Sequence, residues 1–164
     1  NKRLKIINIG RFTDQKDQIT ILKALNLIKK KVSFFLYIMG RGIEKKNLIK
    51  FITDNNLSKN VKVINFQSNP FSLLKKSNLF ILSSIYEGLP NVLLEALVLK
   101  KFIISSDCPT GPREILLNGK GGILFTPRNH HQLAKKYINI QLTHLNSNTK
   151  FYMLLKIWIA LTRI

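Results

Sequence analysis

Six short apolar runs punctuate the chain: KIINIG (5–10), FFLYIMG (34–40), VKVINF (61–66), LFILSS (79–84), FIISSD (102–107) and GILFT (122–126). Each is rich in β-branched or aromatic residues and bounded by turn residues, which is the pattern of buried strands. Between them the period changes. Residues 17–31 place apolar side chains at 19, 22, 25 and 28 and close on three lysines, the end at which a helix dipole favours cations. Shorter helical patterns cover 45–55 and 70–77, and a further one covers 130–142. Regular alternation of strand and helix predicts a Rossmann-like α/β fold, a doubly wound parallel sheet in three α/β/α layers. Residues 1–142 read as that domain. Residues 143–164 read as a C-terminal tail, a polar stretch followed by a short apolar-rich helix.

In such a sheet ligands collect at the carboxyl ends of the strands. The unusual clusters of this sequence all follow strands: GRFTDQKD, GRGIEKK, NFQSNP, SSIYEGLPN and SDCPTGPRE. The expected site is therefore one cleft assembled from these loops.

In EGLPNVLLEAL, Pro90 suits the first position of a helix, where its missing N–H has no partner to lose. The amides of Asn91 and Val92 would then face outward and favour an anion. Glu87 precedes this helix and Glu95 lies inside it, roughly 7 to 8 Å further along the axis. Carboxylates accept from hydroxyls and repel phosphate, so two carboxylates around an anion site would suit a ligand made of sugar, diphosphate and second sugar. The same spacing also fits a capped helix with two surface glutamates. Arg11 and Lys16, just after Gly10 and the first strand, could neutralise a diphosphate, or form an ordinary basic loop. The GRG of 40–42 fails as a dinucleotide fingerprint, because Lys45 occupies the third glycine position and no acidic residue ends the following strand. It reads as a close backbone approach or a turn. No Asp-x-Asp or histidine cluster marks a metal site. Cys108 lacks a neighbouring histidine, and His130 and His131 read as surface residues.

Composition changes the picture at one point. The net charge of +19 against only eight acidic residues points either to a polyanionic partner or to a solvated surface in a lysine-rich composition. Lysines fall in every segment with no basic run interleaved with stacking aromatics, which favours the solvated surface over a specific nucleic-acid site. Contact with an anionic membrane remains open. The single cysteine fits a reducing compartment. With no leading signal segment and no apolar run of about 18 residues, the expectation is a cytoplasmic chain, peripheral at the inner membrane face.

Taken in order and spacing, GRFTDQKDQITILKAL, IMGRG, VINFQ, SSIYEGLPNVLLEAL, SSDCPTGPREIL and GGILF resemble the C-terminal domain of glycosyltransferase family 4, retaining enzymes of the GT-B fold, over about residues 4 to 142. The resemblance implies a nucleotide-sugar substrate, UDP- or GDP-linked, with no cofactor and no metal. Arg11 and Lys16 would hold the donor diphosphate and stabilise its departure, and Gly10 would lie beside them. Glu95 would accept from the ribose and Glu87 from the transferred sugar. Gly88, Leu89, Asn91 and Val92 would present backbone groups, and Phe66 and Gln67 would border the base. The acceptor would be a glycan or a lipid-linked acceptor. Half of the cleft would belong to an N-terminal domain or partner chain outside this sequence. A non-catalytic remnant and a basic polyanion-binding module are the competing expectations.

Overall fold

A computed structural model of the chain describes residues 3–144. The elements follow the alternation that the hydrophobic pattern predicts: β1 (Leu4–Ile9), α1 (Gln18–Ile28), β2 (Phe34–Gly40), α2 (Lys45–Asp54), β3 (Val61–Asn65), α3 (Phe71–Lys76), β4 (Leu79–Leu82), α4 (Asn91–Val98), β5 (Phe102–Ser106), α5 (Pro112–Ile115), β6 (Ile123–Phe125) and α6 (His130–His144). A single 3₁₀ turn, Asp14–Lys16, lies between β1 and α1. The tail assigned to 143–164 lies outside the described residues beyond its first two positions.

All six strands are parallel and lie in the order β3-β2-β1-β4-β5-β6. The order reverses between β1 and β4, where Ile6 sits beside Leu79. This is the doubly wound arrangement expected from the sequence, with its switch point at the β1–β4 junction.

Side chains alternate across the sheet with period two and divide the core into two layers. One face carries Ile6, Leu36, Ile38, Leu79, Ile81 and Ile104 against α1, α2 and α6. The other carries Ile7, Met39, Phe80, Leu82 and Ile103 against α3 and α4. Full burial of each such side chain contributes roughly 1.5–3 kcal/mol. Phe12 joins the first layer although it lies in a loop. Its ring anchors the segment after β1, so the flanking Arg11 projects to solvent.

Several element ends differ from the sequence expectation by one to three residues, and two of these differences have a visible cause. Helix α1 stops at Ile28, before its three lysines, because the amides of Lys31 and Val32 both turn back onto the Ile28 carbonyl. Helix α4 begins at Asn91, with Pro90 as the residue before it at φ −77°, ψ 84°. The glycines of GRG serve the chain's own backbone. A Cβ at Gly40 would lie 1.9 Å from the Gly10 carbonyl oxygen. One at Gly42, where φ is +150°, would lie 2.3 Å from that of Phe12. The loops after β1 and β2 are thus pressed together, with Phe12 N–H donating to the Arg41 carbonyl at 2.8 Å and Glu44 N–H to the Phe12 carbonyl at 3.0 Å.

Asp17 carries a cost for shaping this region. It adopts a left-handed conformation at φ 45°, is buried, and has its Oδ2 without a hydrogen-bond partner. Desolvation raises its carboxyl above the ordinary Asp value, against the opposing Thr20 hydrogen bond and the Arg128 charge. The folded protein therefore binds more proton than the unfolded chain just above the ordinary value, and stability falls as pH rises through that window. Asp17→Asn keeps the left-handed geometry that Asn tolerates and removes the buried charge. It should raise the melting temperature at neutral pH by a few degrees, with a smaller gain at pH 4, as read by thermal unfolding at both pH values.

Candidate functional site

The loops after β1, β4 and β5 meet at the carboxyl edge of the sheet and are stitched across the switch point. Ile85 N–H donates to the Gln15 carbonyl at 2.8 Å, and the Gln15 side chain returns a bond to the Tyr86 carbonyl at 3.0 Å. Ser83, buried at the end of β4, donates its hydroxyl to the Lys16 carbonyl at 2.8 Å. Gln18 closes the first loop by donating to the Arg11 carbonyl at 2.9 Å. From β5, Ser106 donates to the Ser84 carbonyl at 2.6 Å, and the Thr110 hydroxyl donates to the Glu87 carbonyl. Gly111 packs under this loop at φ +89°, where a Cβ would lie 2.7 Å from the Gly88 carbonyl oxygen.

At the centre of this network Lys16 and Glu87, 71 positions apart, form an ion pair with Nζ 2.6 Å from Oε1. Their side chains are only 15% and 6% exposed, so the pair is largely desolvated. The Ser84 hydroxyl donates to the same Oε1 at 2.5 Å. One ammonium proton of Lys16 is committed to Glu87 and two remain. On Glu87 both bonds fall on Oε1 and leave Oε2 as an acceptor.

Arg11 is exposed and Glu95 half-buried, and neither side chain has a hydrogen-bond or ion-pair partner among the described residues. Gly10 lies against the Lys16 stem, a Cβ there meeting Lys16 Cδ at 3.5 Å. Gly88 opens onto free space and Leu89 is exposed. Asn91 departs from expectation: its amide is taken by the Leu89 carbonyl at 3.0 Å, because Pro90 precedes the helix and the chain tightens there into a turn. The Val92 amide keeps no backbone partner among the described residues. Phe66 and Gln67 follow β3 and are exposed, Phe66 with the Arg41 guanidinium 5.6 Å from its ring centroid. They stand two strands away from β1.

Sequence reasoning missed Gln15, Ser84 and Thr110, whose parts are played across loops. The serine pairs at the ends of β4 and β5 were the available signal, since polar residues closing buried strands need partners. Cys108 is buried, and burial pushes its thiol up, which disfavours the thiolate. The His130 and His131 rings stack on each other at 4.3 Å. Among the described residues no group of three His, Cys, Asp or Glu side chains could hold a metal ion.

A doubly wound sheet with its loops gathered over the switch point defines a Rossmann-like α/β domain of the type that makes up GT-B glycosyltransferases. The sequence profile described as "Glycosyl transferases group 1" matches residues 1–150, and the chain belongs to that family. It is 44% identical over 135 residues to a glycosyltransferase of Methanocaldococcus jannaschii, covering 74% of this chain and 33% of that protein. It is 28% identical over 128 residues to the N-acetylgalactosamine-N,N'-diacetylbacillosaminyl-diphospho-undecaprenol 4-alpha-N-acetylgalactosaminyltransferase of Campylobacter jejuni, covering 78% of this chain and 34% of that protein. Among solved structures, Anabaena HepE in complex with UDP superposes with a TM-score of 0.84 at 22% identity, covering 98% of this chain and 44% of that one. The chain spans about a third of the length of the curated relatives it matches.

Proposed function

We propose that residues 1–142 are the donor-binding, C-terminal half of a retaining family 4 glycosyltransferase. It would transfer a hexosyl-type sugar from a nucleoside diphosphate, UDP or GDP, to a glycan or lipid-linked acceptor without a metal ion. The observation that carries this reading is the arrangement over the switch point. A desolvated Lys16–Glu87 pair stands there with donor and acceptor capacity to spare, and Arg11 and Glu95 extend from the same two loop–helix segments without side-chain partners among the described residues.

Arg11 and the two remaining ammonium protons of Lys16 supply cationic donors for the diphosphate in a site partly screened from water, where such contacts are strong. The Val92 amide adds a donor at the start of α4. Glu95 accepts from the ribose hydroxyls and Glu87 Oε2 from the transferred sugar, with Gly88 and Leu89 beside that sugar and Phe66 and Gln67 bordering the base. In transfer, the bond from the sugar C1 to the phosphate oxygen breaks and a bond from C1 to the acceptor oxygen forms on the same face. The acceptor proton passes to the departing phosphate, so no protein nucleophile is used. The acceptor site lies in a second domain, and this chain alone would transfer little or nothing. The Campylobacter relative acts on an undecaprenol-linked substrate by its name, which supports a lipid-linked acceptor.

Calorimetric titration of the chain with UDP and GDP at near-physiological salt tests the reading. Saturable binding is expected, weakened at least tenfold by Glu95→Ala and by Arg11→Ala, as befits hydrogen bonds to charged groups. Absence of binding to either nucleotide, or binding indifferent to both substitutions, would sink it.

A further inference from the structure

Thr110, in the loop between β5 and α5, adopts a conformation that its side chain makes costly. Its φ is +58°, in the left-handed region, and it is the only β-branched residue with positive φ among the described residues. That region suits glycine and short polar residues, and a β-branched side chain is an outlier there. Gly111 follows at φ +89°, so the loop turns through two such residues in succession. A turn by itself needs no threonine at the first of them, since glycine, asparagine or aspartate would make it with less strain. Strain retained beside a site points to work done by the side chain.

The work is on Glu87. The Thr110 hydroxyl donates to the Glu87 carbonyl, 23 positions earlier in the chain. The Glu87 N–H donates to the Pro109 carbonyl at 3.4 Å. Both polar groups of the Glu87 backbone are thus held by consecutive residues of the β5–α5 loop. Apart from these two bonds, the backbone of residues 87–89 is engaged among the described residues only by the Asn91 N–H on the Leu89 carbonyl, within its own turn.

The holding loop is itself fixed at its base. Asp107 N–H donates to the Phe125 carbonyl of β6 at 2.7 Å. The Asp107 carboxylate takes the Arg113 guanidinium as a fork, with Nε 3.0 Å from Oδ1 and a terminal nitrogen on Oδ2. This clamp closes residues 107–113 across both ends. Gly111, lacking a Cβ, lies directly against the Gly88 carbonyl and the Pro90 ring. A loop anchored in this way gives Thr110 a firm position from which to hold its partner.

We propose that Thr110 is a positioning residue for the transferred sugar. The inference rests on the donor reading above, in which Glu87 Oε2 and the backbone groups of Gly88 and Leu89 face that sugar. Lys16 and Ser84 hold the Glu87 carboxylate through Oε1 alone. A carboxylate pinned at one oxygen can swing about that contact, so the direction of Oε2 depends on where the main chain is fixed. Gly88 has no side chain to brace it and nothing within 4 Å of where a Cβ would stand. The Thr110 hydroxyl therefore sets the geometry of the sugar half of the site. The nucleoside diphosphate half depends on Arg11, Lys16 and Glu95, whose backbones Thr110 does not touch.

The test compares Thr110→Ala with Thr110→Ser, two variants alike in backbone demand that differ by one hydroxyl. Calorimetric titration uses UDP and GDP beside UDP-glucose, UDP-N-acetylglucosamine, UDP-N-acetylgalactosamine and GDP-mannose. The quantity read is the affinity for the nucleotide sugar that the parent binds best, divided by the affinity for its own nucleoside diphosphate. Thr110→Ala should lower this ratio about tenfold, with nucleoside diphosphate affinity changed by less than about twofold. Thr110→Ser should keep the ratio within about twofold of the parent. Both should melt within a few degrees of the parent, because relieved backbone strain offsets the altered contact. A general loosening of the fold would instead lower both affinities and leave the ratio unchanged. An unchanged ratio in Thr110→Ala, an equal fall in the two variants, or a parent that binds UDP or GDP but none of these nucleotide sugars would overturn the positioning role and leave the nucleotide site standing. A parent that binds neither UDP nor GDP would overturn the donor reading and this inference with it.

Discussion

Lys16→Ala is expected to lose about 3 kcal/mol of folding stability and nucleotide binding together. Removing the ammonium leaves the Glu87 carboxylate 6% exposed with only the Ser84 hydroxyl on its Oε1. An uncompensated charge in that setting is far more costly than the pair it belonged to. The double variant Lys16→Met/Glu87→Gln removes both charges, keeps the volume and leaves Ser84 a neutral acceptor. It should unfold within roughly 1 kcal/mol of the parent and still fail to bind UDP or GDP. Urea unfolding with calorimetry on the single and double variants separates the two effects. A single variant as stable as the parent would show that the pair is effectively solvated. A double variant that binds normally would remove Lys16 from the diphosphate site.

The second large effect falls on a residue that would touch no ligand. Gly40→Ala places a Cβ 1.9 Å from the Gly10 carbonyl oxygen and 2.9 Å from the Phe12 ring. Both are held by the core, since β1 and β2 are paired throughout and Phe12 is fully buried. The strands must part or the Phe12 anchor must shift, at a cost of about 3 kcal/mol or more, and the melting temperature should fall by roughly 10 °C. Nucleotide affinity should fall with it, because Arg11 and Lys16 ride on the displaced loop. Gly88→Ala is the control. Its Cβ meets nothing within 4 Å, so stability should change by less than about 0.5 kcal/mol. If the two substitutions melt alike, the close approach of the loops is not what requires glycine at position 40.

The strands and helices were legible in the sequence because each buries a face with its own period. The runs 34–40 and 79–82, apolar on both sides and bounded by turn residues, fit interior strands of a covered sheet. Helix ends were less legible. Where α1 stops depends on how Lys31 and Val32 fold back onto Ile28, and the start of α4 depends on a turn at Leu89 that engages the Asn91 amide. The same division runs through the site. Arg11, Lys16, Glu87 and Glu95 stood out as charged residues beside strand ends in a chain poor in acids. That Lys16 and Glu87 would meet, with Ser84 as a third member, could not be read from positions 71 apart.

Local pattern and composition thus determined the doubly wound sheet, the edge at which its unusual loops collect and the net positive charge. Alternating apolar periods are a property of neighbours in sequence, and a charge total needs no structure at all. Tertiary structure alone decided where the charge lies. Cations that seem scattered, one before each strand, become a single face because parallel topology brings every such connection to the same edge. Six of the eight acids sit at the cleft edge, three of them in ion pairs, which leaves the opposite face positive.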